Sequence, residues 1–390
     1  MKQKVIFILL SVILIGCQSE GRKTATGDLP VIDFSKNYPV KEIRMQDIAD
    51  IEYIPLETTD DVLLGRNASL TYVSDQYILI NDGYSVFVFN RTGKILSYFN
   101  RRGQGPQEYT TTFNIIFDEK NEEVFICNYH ISQILVYSIY GEYKRTLKYD
   151  NTTLFLPYIY HFDDETMLVY TDYESFRDNN PEKPYKLMSK RDGSIVSEIN
   201  IRLPVRYETS VYRTNIVEGQ QYTSESRFLV SINMPYIPPD CVIADISSDT
   251  IYRLTPNREL IPMLVRTPSV HSSDPPVVWS VPLVADKFIL VHRTTFDRYA
   301  LEQSGRVPMN ILMYEFETGQ TSQVSFVDDN LGRIGMYTIQ RETRFSKNTY
   351  ARLCQPNTII DYYDAKRSKG EKVEITDEED NPIVAIYTFK

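Results

Sequence analysis

Apolar and polar positions alternate along this chain in short runs that recur at a regular spacing. Three stretches, beginning at Leu70, Phe113 and Tyr158, can be aligned with one another, and each contains four short apolar runs. Such runs predict β-strands, because alternation at period two is typical of a half-buried strand. Four short strands per unit, repeated at about 43 to 46 residues, are typical of a β-propeller blade.

A glycine turn separates the last two runs of each aligned stretch. The three turns contain Gly93, Gly141 and Gly193, and glycine readily adopts the positive φ that a hairpin turn requires. The first run of each stretch ends in an aspartate, at Asp75, Asp118 and Asp163. The matching turns support a repeat of four-stranded units.

The remaining strands complete a ring. Units beginning at Arg227 and Lys287 keep the second, third and fourth strands, while the strand at about Ile48 to Leu56 has no unit of its own. Pairing of that strand with Ile383 to Phe389 leaves no free edge between the chain ends. We therefore predict an all-β fold, a six-bladed β-propeller closed by its N-terminal and C-terminal strands. An open sandwich of the same strands is the alternative.

The first residues have the pattern of a secretion signal. Lys2 and Lys4 precede an apolar stretch from Val5 to Ile15, which is shorter than the roughly 20 residues of a membrane-spanning helix. We predict a signal peptide over residues 1–16, a polar tether over residues 17–28 and a single propeller domain over residues 29–390.

The signal ends in Leu-Ile-Gly-Cys, which resembles the lipobox of bacterial lipoproteins and implies lipidation of Cys17. An ordinary signal peptide with an incidental cysteine is the alternative. Gln18, rather than an aspartate, follows the cysteine. By that resemblance we expect an outer-membrane lipoprotein of the cell envelope, attached through its lipid anchor, on either the periplasmic or the surface face.

The charge balance argues against one class of partner, and the cysteine pattern argues against disulfides and a zinc site. The chain has 42 basic and 52 acidic residues, and we predict no nucleic-acid partner because phosphate binding needs a basic surface. Cys127, Cys241 and Cys354 follow Cys17 without a CxxC pair. Such isolated cysteines predict buried thiols rather than a disulfide framework or a zinc site.

Four segments in order carry a family resemblance: the lipobox, IEYIPLETTDD, GKILSYFNRRGQGPQEY and EEDNPIVAIYTFK. With these segments the chain resembles the six-bladed β-propeller lipoproteins of Bacteroides-type bacteria, which are similar in shape to the NHL-repeat propellers. The resemblance covers nearly the whole mature chain and implies fold and location. It implies no activity, because propellers serve as enzymes, receptors and scaffolds.

Known catalytic and metal-binding signatures are absent from the sequence. It lacks the sialidase Asp-box, the G-x-S-x-G nucleophile elbow, the Walker loop and H-E-x-x-H. His130 and His292 fall in or after second strands of different blades, where a metal site shared between blades is possible; isolated histidines are the simpler interpretation. We predict no metal and no cofactor, and we assign no catalytic residue.

Residues 100–109, NRRGQGPQEY, join the fourth strand of the first blade to the first strand of the second. In a propeller these linkers share one face with the hairpins between second and third strands, around the channel mouth. Arg101 or Arg102 offers a planar donor to a carboxylate or sulfate, with Glu108 and Tyr109 beside it. The neighbouring hairpins add further candidate ligand contacts, at Asp82, Tyr84, His130 and Arg293.

The same loop also has a structural interpretation. Gly103 and Gly105 permit the turn, Pro106 stiffens it, and an arginine bonds Glu108 or a neighbouring blade. A phosphate-binding P-loop is excluded, because no strand-to-helix transition follows the glycines.

The function predicted from these features is that of a binding or scaffolding propeller for a small ligand, glycan, peptide or protein partner. An enzyme, a lyase or hydrolase acting on polysaccharide or peptide at the channel mouth, is the alternative. A structural subunit of an envelope complex, marked by an exposed apolar patch, is a third possibility.

Overall fold

The computed structural model describes residues 29–65, 67–112, 114–128, 131–149, 157–172, 181–208, 210–217, 220–228, 236–237, 240–297, 299–300, 308–336, 348–355, 368 and 380–390. Strands dominate these residues, and their sheets form a six-bladed β-propeller. The fold predicted from the repeat is confirmed.

The N-terminal segment precedes the first blade and supplies strands to the last three. It contains β1 (Val31–Asp33), β2 (Val40–Arg44), the short helix α1 (Met45–Ile48) and β3 (Ala49–Pro55).

Blades 1 to 3 are four-stranded antiparallel sheets built from consecutive strands. Blade 1 contains β4 (Ser69–Val73), β5 (Tyr77–Asn81), β6 (Ser85–Asn90) and β7 (Ile95–Asn100). Blade 2 contains β8 (Ile115–Asp118), β9 (Glu123–Asn128), β10 (Gln133–Ser138) and β11 (Tyr143–Lys148). Blade 3 contains β12 (Pro157–His161), β13 (Thr166–Thr171), β14 (Tyr185–Ser189) and β15 (Ile195–Glu198).

A separate hairpin, β16 (Ser210–Val217) and β17 (Gln220–Phe228), lies between blades 3 and 4 in the chain. Blade 4 contains β18 (Tyr236–Ile237), β19 (Asp240–Ile243), β20 (Thr250–Leu254) and β21 (Leu260–Thr267). A 3-10 helix, Val270–Ser272, follows it. Blade 5 contains β22 (Val277–Val284), β23 (Phe288–Thr295), β24 (Met309–Glu315) and β25 (Thr321–Asp328), with β26 (Gly332–Ile334) beside β25. Blade 6 contains β27 (Thr349–Cys354), β28 (Ile383–Phe389) and β3.

The two chain ends close the ring in the predicted way. β3 pairs antiparallel with β28 over its full length, from Ala49 opposite Phe389 to Pro55 opposite Ile383. The N-terminal segment also adds strands to two other blades, which the repeat pattern of the sequence does not predict. β1 adds a parallel fifth strand to blade 4 beside β21, and β2 adds one to blade 5 beside β25.

The apolar core lies between blades. Each of the six larger clusters of buried side chains among the described residues combines residues of two neighbouring blades. Ile54 of β3, for example, packs with Phe87 of blade 1 across the junction of the last and first blades. Burial of apolar area between sheets therefore holds the ring together.

The predicted glycine turns make close contacts between blades. A Cβ added to Gly93 would lie 1.9 Å from the carbonyl oxygen of Pro55, and one added to Gly141 would lie 2.5 Å from Phe99. Phe99 belongs to the fourth strand of the preceding blade, and Pro55 is the last residue of β3. β3 therefore takes the place of a fourth strand in blade 6.

A buried carboxylate also links the closing strands to blade 5. Asp328, at the end of β25, is fully buried and accepts hydrogen bonds from the hydroxyls of Tyr53 and Tyr387 and the amide of Gln46. Tyr53 and Gln46 belong to the N-terminal segment, whereas Tyr387 belongs to β28. One side chain thus joins blade 5 to both strands that close the ring.

The three cysteines among the described residues are buried thiols, as predicted. Burial raises the pKa of the Cys127 thiol to about 12 and that of the Cys354 thiol to about 11. Both thiols are therefore protonated at neutral pH.

Candidate functional site

The linker between blades 1 and 2 is a closed, hydrogen-bonded loop. The backbone NH of Tyr109 donates to the carbonyl of Arg101, and the NH of Gly103 donates to the carbonyl of Tyr109. At the tip, the NH of Glu108 donates to the carbonyl of Gly105. The glycine-rich segment is therefore an ordered loop with its own internal bonds.

Tyr109 holds this loop from beneath. Its side chain has no exposed surface, and its hydroxyl donates to the carbonyl of Tyr84 at 2.9 Å while accepting from the NH of Arg101 at 3.0 Å. Burial raises the pKa of Tyr109 to about 12. Because it has no accessible surface, Tyr109 supports the loop and offers no ring face to a ligand.

The Glu108 side chain lies against the two glycines of this loop. Its carboxylate accepts a hydrogen bond of 2.8 Å from the NH of Gly105. A Cβ added to Gly103 would lie 1.9 Å from the same carboxylate oxygen. The Glu108 carboxylate thus folds back over the loop in the space beside the two glycines.

Arg102 lies above this framework with its guanidinium over the Tyr84 ring, 4.0 Å from the ring centroid. Both side chains are exposed, Tyr84 at 38%. No ion pair to Arg102 occurs within the described part of the chain. Stacking on an aromatic ring orients the guanidinium and leaves its in-plane N–H groups available for a planar acceptor.

Asp82 and Arg101 are occupied by neighbouring backbone groups. The Asp82 carboxylate accepts from the NH groups of Tyr84 and Ser85, which fixes the hairpin that presents Tyr84. The guanidinium of Arg101 donates to the carbonyl of Gly141 at 3.2 Å, so it joins the linker to blade 2. Both residues therefore position the Arg102–Tyr84 pair.

Arg293 lies elsewhere in the molecule. The expected hairpin at residues 292–293 is in fact part of β23, because that strand continues to Thr295. The guanidinium of Arg293 donates to the carbonyls of Phe34 and Lys36 in the N-terminal segment. The structure therefore does not bring Arg293 together with Arg102, and its role there is to hold the N-terminal segment.

His292 is buried rather than directed into a shared metal site. Its ring nitrogens lie 3.3 Å from the hydroxyl of Ser280 and 3.0 Å from the carbonyl of Met336. Burial lowers the pKa of His292 to about 4. Cys17 and His130 lie outside the described residues.

The sequence does not identify a second group of charged residues on the opposite face of the ring. There, cavities of about 570 Å³ and about 600 Å³ both contact Asp118. Asp118 and Lys190, each nearly fully buried, form an ion pair of 2.8 Å between blades 2 and 3, and Lys190 also lies 3.2 Å from His161. Only the position of Asp118 at a strand end could have drawn attention to it.

Two further ion pairs line these cavities, and Glu119 and Glu122 accept hydrogen bonds from the hydroxyls of Tyr72 and Tyr77. Arg145 binds Glu123 through two parallel bonds of 2.7 Å, and Lys120 pairs with Asp164. Their charges thus neutralise one another, whereas Arg102 has no such partner in the described regions. Its stacking on Tyr84, together with the absence of an ion pair among the described residues, favours the Arg102–Tyr84 pair as the candidate site.

Within the residues that the structure covers, no three His, Cys, Asp or Glu side chains are grouped to hold a metal ion. None of the helices described is long and apolar enough to cross a membrane.

Comparisons with known proteins agree with this fold. The family described as a domain of unknown function, DUF4934, matches residues 29–267. A protein from Bacteroides fragilis, described as exported, superposes with a TM-score of 0.60 at 14% identity, covering 92% of this chain and 99% of its own. At that identity the similarity concerns the fold alone.

Two further solved structures resemble this chain more distantly. A DUF4221 member from Bacteroides vulgatus has a TM-score of 0.49 at 9% identity and covers 88% of this chain and 97% of its own. Virginiamycin B lyase from Staphylococcus aureus has a TM-score of 0.38 at 12% identity and covers 88% of this chain and 100% of its own. A search of curated proteins finds no significant match.

Proposed function

The chain belongs to the DUF4934 family, and on that premise we propose that it is a lipid-anchored binding module of the outer membrane. Its ligand carries a carboxylate or sulfate group, which binds to Arg102 above Tyr84. The ligand belongs to a glycan, a peptide or another envelope component.

This proposal rests on the orientation of the Arg102 guanidinium and on its lack of an ion pair among the described residues. Its guanidinium is oriented at 4.0 Å above the Tyr84 centroid on a hydrogen-bonded loop, without an ion pair among the described residues. Arginine binds carboxylate and sulfate oxygens through two parallel N–H groups. A rigid platform lowers the entropy cost of such binding, because neither side chain has to be ordered first.

The proposed location rests on the sequence. The apolar leader, the small residue before Cys17 and the polar segment up to residue 28 support lipidation and a flexible tether. The similar fold of a protein described as exported, from Bacteroides fragilis, is compatible with an envelope location.

Binding is tested with two acidic probes and one neutral probe: tri-galacturonate, a heparin tetrasaccharide and maltotriose, titrated by calorimetry. We expect at least one acidic probe to bind and maltotriose not to bind. Arg102→Ala should weaken binding about 10- to 100-fold, because a charge-assisted hydrogen bond contributes roughly 1.5–3 kcal/mol. The probe affinity of Arg102→Lys should lie between those of wild type and Arg102→Ala, since lysine keeps the charge but loses the planar fork.

Arg191→Ala is the matched control. Arg191 is an exposed arginine on the third-to-fourth turn of blade 3, beside the cavities of the opposite face. Its loss should leave probe binding unchanged. Equal affinity of the Arg102→Ala and wild-type chains for every acidic probe would reject the site.

Lipidation is tested separately by cell fractionation. Wild-type chain should appear in the outer-membrane fraction, and globomycin should block its processing. Cys17→Ala should abolish both lipidation and signal cleavage. Wild-type protein recovered as a soluble, unlipidated chain would contradict the anchor.

A further inference from the structure

The outer edge of blade 1 differs from the outer edges of blades 4 and 5. The sheet of blade 1 ends at β7, which has no second strand neighbour in the described regions. In blades 4 and 5, by contrast, the fourth strands are covered by β1 and β2. The fold thus shows that a fourth strand of this ring can accept one more strand at its edge.

β7 also lacks the charges that protect other open edges. Its sequence, ILSYFN, contains no ionisable group other than a tyrosine, and Leu96 and Tyr98 are 44% and 46% exposed. The corresponding strand of blade 2 carries Lys144, Arg145 and Lys148. Natural sheets commonly use such charges, lysine above all, to prevent edge-to-edge pairing. β7 is therefore an apolar edge without that protection.

A third exposed hydrophobic side chain lies next to this strand. The hydroxyl of Ser97 donates to the carbonyl of Ile139, and Gly141 packs against Phe99. Because Ser97 and Phe99 point to the face opposite to Leu96 and Tyr98, these contacts place Tyr140, which is 62% exposed, on the other side of the same edge. We call Leu96, Tyr98 and Tyr140 the β7 patch.

We propose that the β7 patch is a dimer interface, in which β7 pairs antiparallel with β7 of a second copy about a two-fold axis at Ser97. This register places Leu96 of one protomer opposite Tyr98 of its partner, and the reverse. It also places Lys94 opposite Asn100, so that no like charges face each other. Cross-strand pairs of an aromatic and an aliphatic residue stabilise antiparallel sheets.

A second copy suits this edge because the strand is complementary to itself. An isologous contact uses the same surface on both partners and closes at two copies. In a six-membered ring, blade 4 lies opposite blade 1, and the described chain begins at Leu29, two residues before β1 on blade 4. Leu29 of each protomer therefore lies on the side of the ring opposite the interface.

The expected affinity is modest. A stable interface of standard size buries about 1,600 Å² in total, and pairing of one six-residue strand buries less than that, so we expect a dissociation constant in the micromolar range. The interface leaves the Arg102–Tyr84 pair outside the paired residues, so the proposal is independent of the proposed function.

The test is sedimentation velocity of the full chain in a mild detergent, over about a hundredfold range of protein concentration. Wild type should change from monomer to dimer. Leu96→Glu and Tyr98→Lys should each raise the dissociation constant about tenfold or more. Val196→Lys, on the outer strand of blade 3 with an exposure of 42%, is the matched control and should dimerise normally.

Mixing the two variants tests the register. Leu96→Glu chains and Tyr98→Lys chains should form a heterodimer, because the introduced carboxylate then faces the introduced ammonium while the second Leu96–Tyr98 pair stays intact. Amide hydrogen exchange of β7 should slow as the wild-type concentration rises. A wild type that stays monomeric throughout, or dimerisation unaffected by both variants, overturns the proposal.

Discussion

Blades 1 to 3 and blades 4 to 6 differ in how their sheets end at the outer edge of the ring. In the first group, each sheet is made of consecutive strands and ends at its own fourth strand. In the second, residues 31–55 run along the outside and supply one strand to each blade. A sheet edge is protected either by its own side chains or by added chain. Blades 4 to 6 therefore depend on a segment far away in sequence, and blades 1 to 3 do not.

Removing the buried carboxylate at the closure should give the largest difference between the two groups. Asp328→Ala should lower the free energy of unfolding by about 4 kcal/mol, because two tyrosine hydroxyls and one amide lose a buried acceptor. Urea unfolding measures this loss. In blade 3, Asp163 accepts three hydrogen bonds, all within its own turn. Asp163→Ala should cost only about 1 kcal/mol, and equal losses would contradict the distinction.

The anchoring of β1 should give the next largest effect. Phe34 is buried edge-on against Trp279, 5.6 Å between ring centroids, with the Arg266 guanidinium 4.3 Å from its own centroid. Phe34→Ala should destabilise the protein by about 3 kcal/mol, as expected for truncation of a buried phenylalanine.

As a comparison, Tyr98→Ala on the outer strand of blade 1 should lower the free energy of unfolding by less than about 1 kcal/mol.

The contact of Phe34 with blade 5 can be followed by tryptophan fluorescence, because the chain has a single tryptophan, Trp279, which is fully buried. Phe34→Ala should increase quenching of that fluorescence by acrylamide. Unchanged quenching would mean that the N-terminal segment does not cover blade 5 in solution.

Acid should weaken blade 5 through His292. The pKa of this buried histidine is lowered to about 4 from a usual value of 6.5. The folded state therefore resists protonation, and stability present above pH 6.5 is lost as the pH falls toward 4, by up to about 3 kcal/mol. His292→Gln should flatten the stability profile in that window. Hydrogen exchange should show opening in blade 5 before blade 1.

The smallest expected difference in stability is between alanine substitutions at two glycine turns, one packed against β3 and one not. Gly93 and Gly319 both have positive φ, +83° and +68°. An added Cβ at Gly93 meets the Pro55 carbonyl at 1.9 Å, whereas at Gly319 the nearest atom is the Tyr314 hydroxyl at 3.7 Å. Gly319→Ala should cost about 1 kcal/mol from backbone strain alone. Gly93→Ala should cost about 2 kcal/mol because strand β3 must also move, and equal melting temperatures would argue against a tight closure.

The blade repeat could be predicted because the strands and turns of each of blades 1 to 3 are consecutive in the sequence. Turn glycines at a constant spacing and four apolar runs identify blades 1 to 3, and the unpaired strand before Pro55 has an obvious partner in Ile383–Phe389. β1 and β2 could not be predicted. They are only three and five residues long, and their partners are selected by which sheet edges remain open after folding.

The sequence predicts where the candidate site lies in the fold, but it does not predict how the side chains of the site are arranged. The position of the linker follows from the strand order, yet Tyr109 stands among polar residues and gives no sign of its burial. Stacking of Arg102 depends on the hairpin that presents Tyr84, which is distant in sequence. The expected hairpin at Arg293 is absent because β23 extends through it, a boundary that apolar alternation does not define well.

The pairing of β3 with β28 also sets an order of events during synthesis. A chain made from its amino end presents β1, β2 and β3 first, whereas their partners β21, β25 and β28 arrive after much of the remaining sequence. Contacts of such long sequence separation form slowly. Until the carboxyl end has emerged, three strands lack their partners. A chain cut short before Ile383 keeps the open edge of β3, so a truncated product differs from a finished one by a surface that a protease or chaperone can recognise.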